Sequence, residues 1–367
     1  RIEGDSMAEI LPGGGSYVGD EVLDCKGMTV LPGLHNLHIH LMFRSMNWPA
    51  IGVQTEYVHI VNAIRYMHKL MTYGYTSLRD VGCPYNISIK LREDINAGRL
   101  VGPNLTACGA ILVPDQIAPP ELEMYSCNPH HFPCNDPYLL RGAVRKQLAD
   151  GADFIKILGC SAAPVKRGDG PLFYPDEMEE LVSTAAREGT YLAIHTNSTE
   201  SNAVAIAAEA HSIEHANFWT KENMDAVIAH GMKSTIVPTL HICVGIAGTE
   251  FAKVQAGDMR LAYDAGMLIG WGTDATEEMF MAAPGTEFTA REEVLGFSKM
   301  EILKQATINS AKINGTDDLR GSIKVGKRAD FAIFDGRPDE DLSLFNEPPA
   351  YVIKDGQVVA REGFVKM

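Results

Sequence analysis

The chain has 367 residues, of which 46% are hydrophobic and 22% charged, and its formal net charge is −15 at pH 7. That length exceeds one small domain and fits a barrel of about 250 residues with an appended module. The negative charge argues against nucleic acid or an anionic membrane as a partner. The sequence has no apolar run of about 18 residues, so it predicts no transmembrane helix.

Seven cysteines are scattered without C-x-x-C spacing. This pattern favours free thiols in a reducing compartment, and therefore a cytoplasmic protein. Cys127 and Cys134 flank a polar loop and are the pair to examine for a disulfide bond. The chain begins at Arg1 inside a predicted strand, so we expect further residues upstream, and a removed signal peptide is compatible with this start.

Residues 1–30 are predicted to form short strands separated by glycine-rich turns, and residues 31–40 the next strand. A helical pattern follows at 55–73, with Val58, Val61, Ile64, Met67 and Leu70 at helical spacing. Strands and helices then alternate. The further strands are predicted at 75–80, 105–109, 154–158, 191–195, 212–215, 233–237 and 268–274. The further helices are predicted at 138–150, 176–188, 201–209, 221–230, 289–295 and 299–313, with another that ends at Gly266.

Eight strands that alternate with helices predict an α/β fold, with a parallel sheet closed as a (β/α)8 TIM barrel over residues 31–314. Short strands return after Leu319, at 321–326, 330–334, 351–355 and 357–361. We therefore expect residues 1–30 and 315–367 to form one small β-sandwich module, incomplete at its N-terminal side.

Ionisable side chains fall at the carboxyl ends of five of these strands, where such barrels carry their active sites. Residues two apart in a strand share a face, so His38 and His40 would project side by side. The other candidates, at strands four, five, six and eight, are Lys156, His195, His215 and Asp274. Each has a simpler explanation, such as a packed histidine or a helix cap. Because all of them are predicted at the same end of the barrel, they together indicate a metal site.

A cationic lysine makes no electrostatic sense among metal ligands. If Lys156 has reacted with CO₂, it becomes N6-carboxylysine, an anion able to bridge two divalent ions, for which imidazole and carboxylate favour Zn²⁺ or Mn²⁺. Two ions about 3.5–4 Å apart could share a hydroxide and polarise a carbonyl group. Asp274 would orient that hydroxide and pass its proton to the leaving amine, as a general base and then acid.

Six motifs together resemble the amidohydrolase superfamily, over about residues 1–360: 31–40 (LPGLHNLHIH), 74–80 (GYTSLRD), 151–156 (GADFIK), 213–215 (IEH), 272–274 (GTD) and 326–331 (GKRADF). The chain is most similar to the branch of prolidase-like and imidazolonepropionase-like enzymes, which includes dipeptidases for substrates ending in Pro, Arg or Lys. The resemblance implies a first metal on His38, His40 and Asp274, and a second on His195 and His215, with Lys156 as the bridge. It also implies hydrolysis of an amide, urea, carbamate or lactam bond.

The chain departs from the dipeptidase pattern near the expected substrate. Asn36 stands where the family usually has Asp, and residues 114–120, 195–197 and 238–243 also differ. Two substrate classes therefore stay open: a dipeptide or N-acyl amino acid, and a non-peptide amide, urea or carbamate of the aryl amide or phenylurea type. The alternative from another class is a non-catalytic scaffold or binding protein, against which the complete ligand set argues.

We expect a small-molecule substrate, no nucleic acid or membrane partner, and a homo-oligomer. His241 follows the seventh strand and is a candidate to bond the scissile carbonyl oxygen. Candidate substrate contacts are Arg44, Trp48, Asn197 and Cys243. Lys166 and Arg167 lie on another loop near the expected site, and the simpler interpretation is that this loop is exposed to solvent. The histidines assigned to packing or helix ends are His35, His59, His68, His211 and His230.

Overall fold

A computed structural model describes residues 1–12, 19, 21–47, 54–113, 136–160 and 170–366. Its strands are β1 (Ile2–Glu3), β2 (Ser6–Met7), β3 (Met28–Pro32), β4 (Leu34–Ile39), β5 (Tyr75–Asp80), β6 (Asn104–Ala107), β7 (Ile155–Leu158), β8 (Leu192–His195), β9 (Ser212–Glu214), β10 (Thr235–Val237), β11 (Phe331–Asp335), β12 (Tyr351–Lys354), β13 (Gln357–Arg361) and β14 (Phe364–Val365).

The helices are α1 (Glu56–Thr72), α2 (Ile87–Asn96), α3 (Pro137–Ala149), α4 (Pro175–Arg187), α5 (Thr199–Ala207), α6 (Lys221–Ala229), α7 (Leu240–Ala256), α8 (Met259–Asp264), α9 (Glu277–Ala282), α10 (Thr286–Leu295), α11 (Lys299–Lys304) and α12 (Ser310–Ile313). The predicted alternation is confirmed, with bounds that differ by a few residues. Helices α2 and α9 were not predicted, and two helices, α7 and α8, precede Gly266 where one helix was predicted to end. No helix in the described ranges is long and apolar enough to cross a membrane.

Seven strands form two parallel sheets, and five of the six predicted ligands lie in these strands or directly after them. β4, β5 and β6 form one sheet in that order, and β7, β8, β9 and β10 form the other. At one edge the N–H group of Leu112 donates to the carbonyl group of Lys156 at 2.9 Å. At the other edge the segment 268–274 is hydrogen-bonded to both β10 and β4. The backbone hydrogen bonds therefore continue from one sheet to the other on both sides.

The predicted eighth strand, residues 268–274, is an extended segment rather than a regular strand, with a single β-bridge between Ile269 and Ile236. It lies close to β4 because Gly272 has no side chain: a Cβ there would be 2.7 Å from the Cβ of His38. The N–H group of Asp274 donates to the carbonyl oxygen of His38 at 2.9 Å. The segment thus places Asp274 beside the first histidine.

The predicted helix over 299–313 is interrupted by a π-helical turn, Gln305–Asn309, between α11 and α12. The hydroxyl group of Ser310 donates to the carbonyl oxygen of Gln305 at 2.7 Å. The hydroxyl oxygen of Ser310 in turn accepts the N–H of Trp271 at 2.9 Å. The turn therefore helps to hold the extended segment that leads to Asp274.

The buried face of α1 differs from the apolar stripe in its sequence. Val58 and Val61 are 36% and 43% exposed, whereas Tyr66 is fully buried. The phenol group of Tyr66 donates to the carbonyl oxygen of Ala275 at 2.8 Å. Because its polar group has a partner, Tyr66 can be buried at no cost in hydrogen bonding. The helix consequently packs over the residue that follows Asp274.

Both ends of the chain contribute to one antiparallel sheet, in the order β14, β13, β12, β11, β3. β1 and β2 form a separate two-stranded sheet. β3 extends to Pro32, two residues past the predicted boundary at residue 30. The strand predicted at 321–326 is wrong: no strand forms there, and left-handed glycines, Gly321 with φ of 79° and Gly326 with φ of 88°, stand at its two ends.

The described cysteines are Cys25, Cys83, Cys108, Cys160 and Cys243, of which Cys25, Cys83, Cys108 and Cys243 are free thiols. Cys127 and Cys134 lie outside the described residues.

Candidate metal centre

Three predicted ligands meet where β4 ends. His38 lies in β4, His40 follows it, and Asp274 ends the neighbouring extended segment. The Nε2 atom of each histidine lies 3.8 Å from Oδ1 of Asp274. One ligand atom from each residue lies within 4.8 Å of the other two. Ligand atoms at about 2.0–2.2 Å from a shared ion are about 3–3.5 Å apart, so small side-chain adjustments would let the three residues bind one ion.

His195 and His215 continue this cluster across β8 and β9. The ring centroid of His215 lies 4.5 Å from that of His38 and 4.5 Å from that of His195. Two site residues have left-handed backbones, with φ of 64° at His215 and 49° at Asp274. Such conformations cost about 1–3 kcal/mol each and persist where the surroundings hold them. The N–H group of His215 donates to the carbonyl oxygen of Val237 at 3.0 Å.

Lys156 lies in β7, with 1% of its surface exposed. Burial lowers the pKa of its ammonium group, while the carboxylates of Glu214 and Asp274 raise it. The pKa of His40 falls to about 3, chiefly through burial and also through the charge of Lys156. Carbamate formation needs an uncharged amine, and a buried lysine with a lowered pKa supplies one. Lys156 therefore fits the predicted N6-carboxylysine.

Hydrogen bonds behind the imidazoles determine which ring nitrogen can bind a metal. Nδ1 of His40 lies 2.8 Å from the carbonyl oxygen of Gly82. Because a carbonyl only accepts, His40 carries its proton on Nδ1 and presents the Nε2 lone pair. Nδ1 of His215 lies 2.6 Å from the hydroxyl oxygen of Thr239. This arrangement, with a carboxylate among neutral imidazoles, fits a divalent transition metal.

Glu214 belongs to the motif at 213–215 but was not among the predicted site residues. Its Oε2 lies 2.7 Å from Nδ1 of His38, and its Oε1 lies 2.6 Å from Nη2 of Arg79. All three side chains are buried. A charged residue in a short apolar strand, directly before a predicted ligand, is the signal that could have identified it.

Asp80 supports the neighbouring loops. Its carboxylate accepts the N–H groups of Leu41 at 2.9 Å and Gly82 at 3.2 Å. Burial raises the pKa of Asp80 to about 6. The residue fixes the carbonyl-bearing Gly82 that orients His40.

Asn36, which replaces the family's usual Asp, connects β4 to the segment that ends in Asp274. Its Nδ2 donates to the hydroxyl oxygen of Thr273 at 2.8 Å. Its Oδ1 accepts the N–H groups of His38 and Thr273, each at 3.2 Å. The amide thus keeps the connection between the two segments without adding a charge.

His241 lies at the start of α7 and is 2% exposed. Its backbone N–H group donates to Oε2 of Glu287 at 2.6 Å. Its imidazole ring stacks on Phe280, with ring centroids 6.4 Å apart. Burial lowers the pKa of the imidazole to about 4, so it is uncharged at neutral pH. Its Nδ1 has no hydrogen-bond partner within the part of the chain that the structure describes.

Asn197 and Cys243, two of the predicted substrate contacts, are buried. Nδ2 of Asn197 lies 3.1 Å from Nε2 of His195, and its Oδ1 accepts from Asn217 at 2.5 Å. Cys243 packs in an apolar cluster with Ile242, and burial raises its pKa to about 12. Contact of either residue with substrate stays a prediction.

Arg44 is exposed, and its Nε lies 3.3 Å from Oε1 of Glu278. The predicted contacts Trp48, Lys166 and Arg167 lie outside the described residues. His35 is fully buried, and burial lowers its pKa to about 4. The surroundings of His35 agree with the packing role expected for it.

Comparisons with known proteins agree with this geometry. The sequence model of the amidohydrolase family matches residues 29–359. The ochratoxinase of Aspergillus niger is 29% identical over 332 residues, which cover 79% of this chain. The chain spans 66% of that relative's length, just under two thirds.

Two further proteins are similar over nearly the whole chain. The imidazolonepropionase of Geobacillus thermodenitrificans (strain NG80-2) is 26% identical over 375 residues, covering 94% of this chain and 84% of the relative. A crystal structure of a Xaa-Pro dipeptidase with bound methionine in the active site superposes with a TM-score of 0.84 and 28% identity. It covers 97% of this chain and 93% of the dipeptidase.

Proposed function

The chain belongs to the amidohydrolase family, and we propose that it is a metal-dependent hydrolase that cleaves a carbon–nitrogen bond of a small molecule. The observation that carries this proposal is the cluster of His38, His40 and Asp274, whose ligand atoms lie within 4.8 Å of one another. The ring of His215 adjoins the cluster at 4.5 Å from that of His38. A scaffold protein would have no use for so many buried metal-binding groups at one place.

We propose that the site holds two divalent ions, with Zn²⁺ preferred and Mn²⁺ as the alternative. The proposed ligands are His38, His40 and Asp274 for the first ion, His195 and His215 for the second, and carboxylated Lys156 for both. When bound, the ions would polarise a carbonyl group and lower the pKa of a water molecule. Because Asn197 contacts Nε2 of His195, this histidine would bind through Nδ1.

Asp274 is the proposed general base and acid. Burial raises its pKa to about 7, although the charge of Lys156 opposes the increase. A buried carboxylate beside the attacking water suits a group that takes a proton from that water and returns it to the leaving nitrogen. One carboxylate oxygen would bind the ion, and the other would carry the proton.

His241 is proposed to donate a hydrogen bond to the scissile carbonyl oxygen. It is uncharged at neutral pH, because burial lowers its pKa to about 4, so it would act as a neutral donor. The lack of a partner for Nδ1 among the described residues supports this role, since a buried polar atom without a partner is costly.

A dipeptide or N-acyl amino acid is the proposed substrate class. The likeness to the Xaa-Pro dipeptidase, over 97% of the chain, supports it. The second candidate is a non-peptide amide, urea or carbamate. It is favoured by the departures at 195–197 and 238–243 and by the similarity to an ochratoxinase.

A hydrolysis screen tests both candidates. Metal-loaded protein is incubated with N-acyl amino acids and with Xaa-Pro, Xaa-Arg and Xaa-Lys dipeptides, beside aryl amides, phenylureas and carbamates. We expect hydrolysis that a chelator abolishes and Zn²⁺ or Mn²⁺ restores. The variant Asp274→Asn should lower kcat by about 100-fold to 10,000-fold. A metal-loaded protein that cleaves none of these compounds would favour the scaffold instead.

We also propose that residues 31–314 close as a (β/α)8 barrel with segment 268–274 as its eighth strand. The hydrogen bonds at both sheet edges support this. Residues 1–30 and 315–367 would form the small β-sandwich module, supported by the sheet that β3 shares with β11–β14. The free cysteines support a cytoplasmic location. Light scattering of the purified protein would test the proposed homo-oligomer.

A further inference from the structure

The four candidate histidine ligands have different groups behind them. Nδ1 of His40 bonds a backbone carbonyl, Nδ1 of His215 bonds a threonine hydroxyl, and Nε2 of His195 lies beside an asparagine amide. These three partners are uncharged. The partner of His38 is the carboxylate of Glu214, at 2.7 Å from Nδ1. Nδ1 of His38 is therefore backed by a full negative charge, whereas Nδ1 of His215, a proposed ligand of the other ion, is backed by a neutral hydroxyl group.

Glu214 reaches His38 because of where β9 ends. His215 follows the strand with φ of 64°, so the chain leaves the extended conformation there. Two consecutive residues consequently contact the same ring: the carboxylate of Glu214 at 2.7 Å, and the imidazole of His215 at 4.5 Å between centroids. One strand end thus contributes both a proposed ligand of the second ion and the support of a ligand of the first.

The buried charge of Glu214 is balanced by Arg79, whose Nη2 lies 2.6 Å from Oε1. Nε of Arg79 donates to the carbonyl oxygen of Leu37 at 2.6 Å, in the strand that carries His38. The hydroxyl group of Ser212 also donates to Oε1, at 2.5 Å. These bonds occupy one carboxylate oxygen and leave Oε2 for His38. Both carboxylate oxygens of Glu214 therefore have partners in the core.

A carboxylate that accepts the N–H of a metal-binding imidazole fixes its tautomer and orientation and increases its basicity as a ligand. Neutral acceptors do the same more weakly, because hydrogen bonds to charged groups are roughly twice as strong. Since Arg79 cancels the net charge, the effect of Glu214 on His38 is directional and acts through one hydrogen bond.

We infer that Arg79 and Glu214 are positioning residues that make the ion site of His38, His40 and Asp274 the tighter of the two. This inference rests on the proposed function, because it assumes a binuclear centre. It predicts an order of loading: the first ion occupies the site backed by Glu214, and the second occupies the site of His195 and His215.

The test measures Zn²⁺ binding to the apoprotein, with bicarbonate present, by competition with a chromophoric chelator. We expect two affinity classes in the wild-type protein, with the tighter class lost in His38→Ala. Glu214→Gln keeps the shape of the side chain but removes its charge, and should weaken the tighter class about 10-fold to 100-fold. The weaker class should change by less than about threefold, which a general loss of structure would not produce.

Thr239→Val is the matched control, because it removes the hydroxyl behind His215 while preserving volume. This variant should reduce the Zn²⁺ affinity of the weaker class of site and leave the tighter class unchanged. If Glu214→Gln does not fold, Ser212→Ala decides, since it removes one hydrogen bond to Glu214 and should weaken only the tighter class, about threefold.

Two ions of equal affinity in the wild-type protein would overturn the inference and leave the proposed function standing. An unchanged tighter class in Glu214→Gln, or equal weakening of both classes, would also overturn it. A wild-type protein that binds no Zn²⁺ would instead overturn the proposed function.

Discussion

Two fully buried Arg–Glu pairs lie near the candidate site, and they act on different parts of it. Arg79 and Glu214 are 2.6 Å apart, and Glu214 contacts the side chain of His38. Arg291 and Glu287 are 2.7 Å apart on α10, and Glu287 accepts the backbone N–H of His241. The first pair therefore supports a proposed ligand directly, whereas the second supports the backbone around a proposed substrate contact.

The second pair also holds two segments together. Arg291 donates to the carbonyl oxygens of Gly270 at 2.7 Å and Pro238 at 3.1 Å. Its guanidinium lies 4.5 Å from the ring centroid of Trp271. One buried cation thus connects the end of β10 with the segment that leads to Asp274. The contrast indicates that a buried ion pair can stabilise a site's backbone without influencing its metal ligands.

The largest expected effect follows from removing one partner of the second pair. Arg291→Met leaves Glu287 buried without its cation and leaves two carbonyl groups without a donor. Breaking a buried pair in this way costs about 3–5 kcal/mol, measured as the free energy of unfolding in urea. The double variant with Glu287→Leu is the control and should recover part of the loss. A cost below about 1 kcal/mol for the single variant would contradict the structural role.

Glu287→Gln separates the two pairs most sharply. It keeps an acceptor for the N–H of His241 but loses the charge paired with Arg291, so unfolding should become easier by about 1–3 kcal/mol. Both Zn²⁺ affinities should stay within about threefold of the wild type in the chelator competition. A selective loss of the tighter class, as expected for Glu214→Gln, would remove the distinction between the pairs.

Gly272→Ala tests how closely the segment 268–274, which Arg291 helps to hold, must approach β4. The new Cβ would lie 2.7 Å from the Cβ of His38 and from Cγ1 of Val237. Overpacking of this kind costs about 1–3 kcal/mol and should also weaken Zn²⁺ binding, because His38 moves. Gly142→Ala, where a Cβ meets nothing within 4 Å, is the control and should change neither quantity adversely.

The smallest effect concerns the buried imidazole of His35. Burial lowers the pKa of His35 to about 4 from its ordinary 6.5, and the charge of Arg320 also lowers it. The unfolded chain therefore binds a proton first as the pH falls, so stability is lost between pH 6.5 and pH 4. His35 should contribute about 1 kcal/mol to the loss of stability at pH 5.5 relative to pH 7.5, measured as the difference in that loss between the wild type and His35→Leu by denaturation at each pH. His35→Leu should reduce the pH dependence of the free energy of unfolding. An unchanged pH dependence in this variant would contradict the role given to His35.

Periodicity predicted the alternation of strands and helices well, because it follows from which side chains face the core. It failed where polar groups acquire distant partners. Tyr66 is buried on α1, although the apolar spacing favoured the exposed Val58 and Val61, because its hydroxyl group reaches the carbonyl of Ala275. That contact joins residues 209 positions apart and has no local signal.

The residues of the site likewise divide into those that a local sequence pattern identifies and those whose role depends on distant partners. His38, His40 and Asp274 could be chosen because each ends a predicted strand with a metal-binding side chain. Glu214 had only the local signal of a charged residue in a short apolar strand, and Arg79 had none, since their role depends on three strands meeting in space. The extended form of 268–274 depends likewise on Gly272 fitting against His38.

The most direct test of the proposed binuclear site is the metal content of the purified chain after growth with added Zn²⁺ or Mn²⁺. Plasma mass spectrometry should find about two equivalents per chain, and Lys156→Ala should retain at most about one. Fewer than about one equivalent in the wild-type protein would contradict the proposed metal-dependent hydrolase.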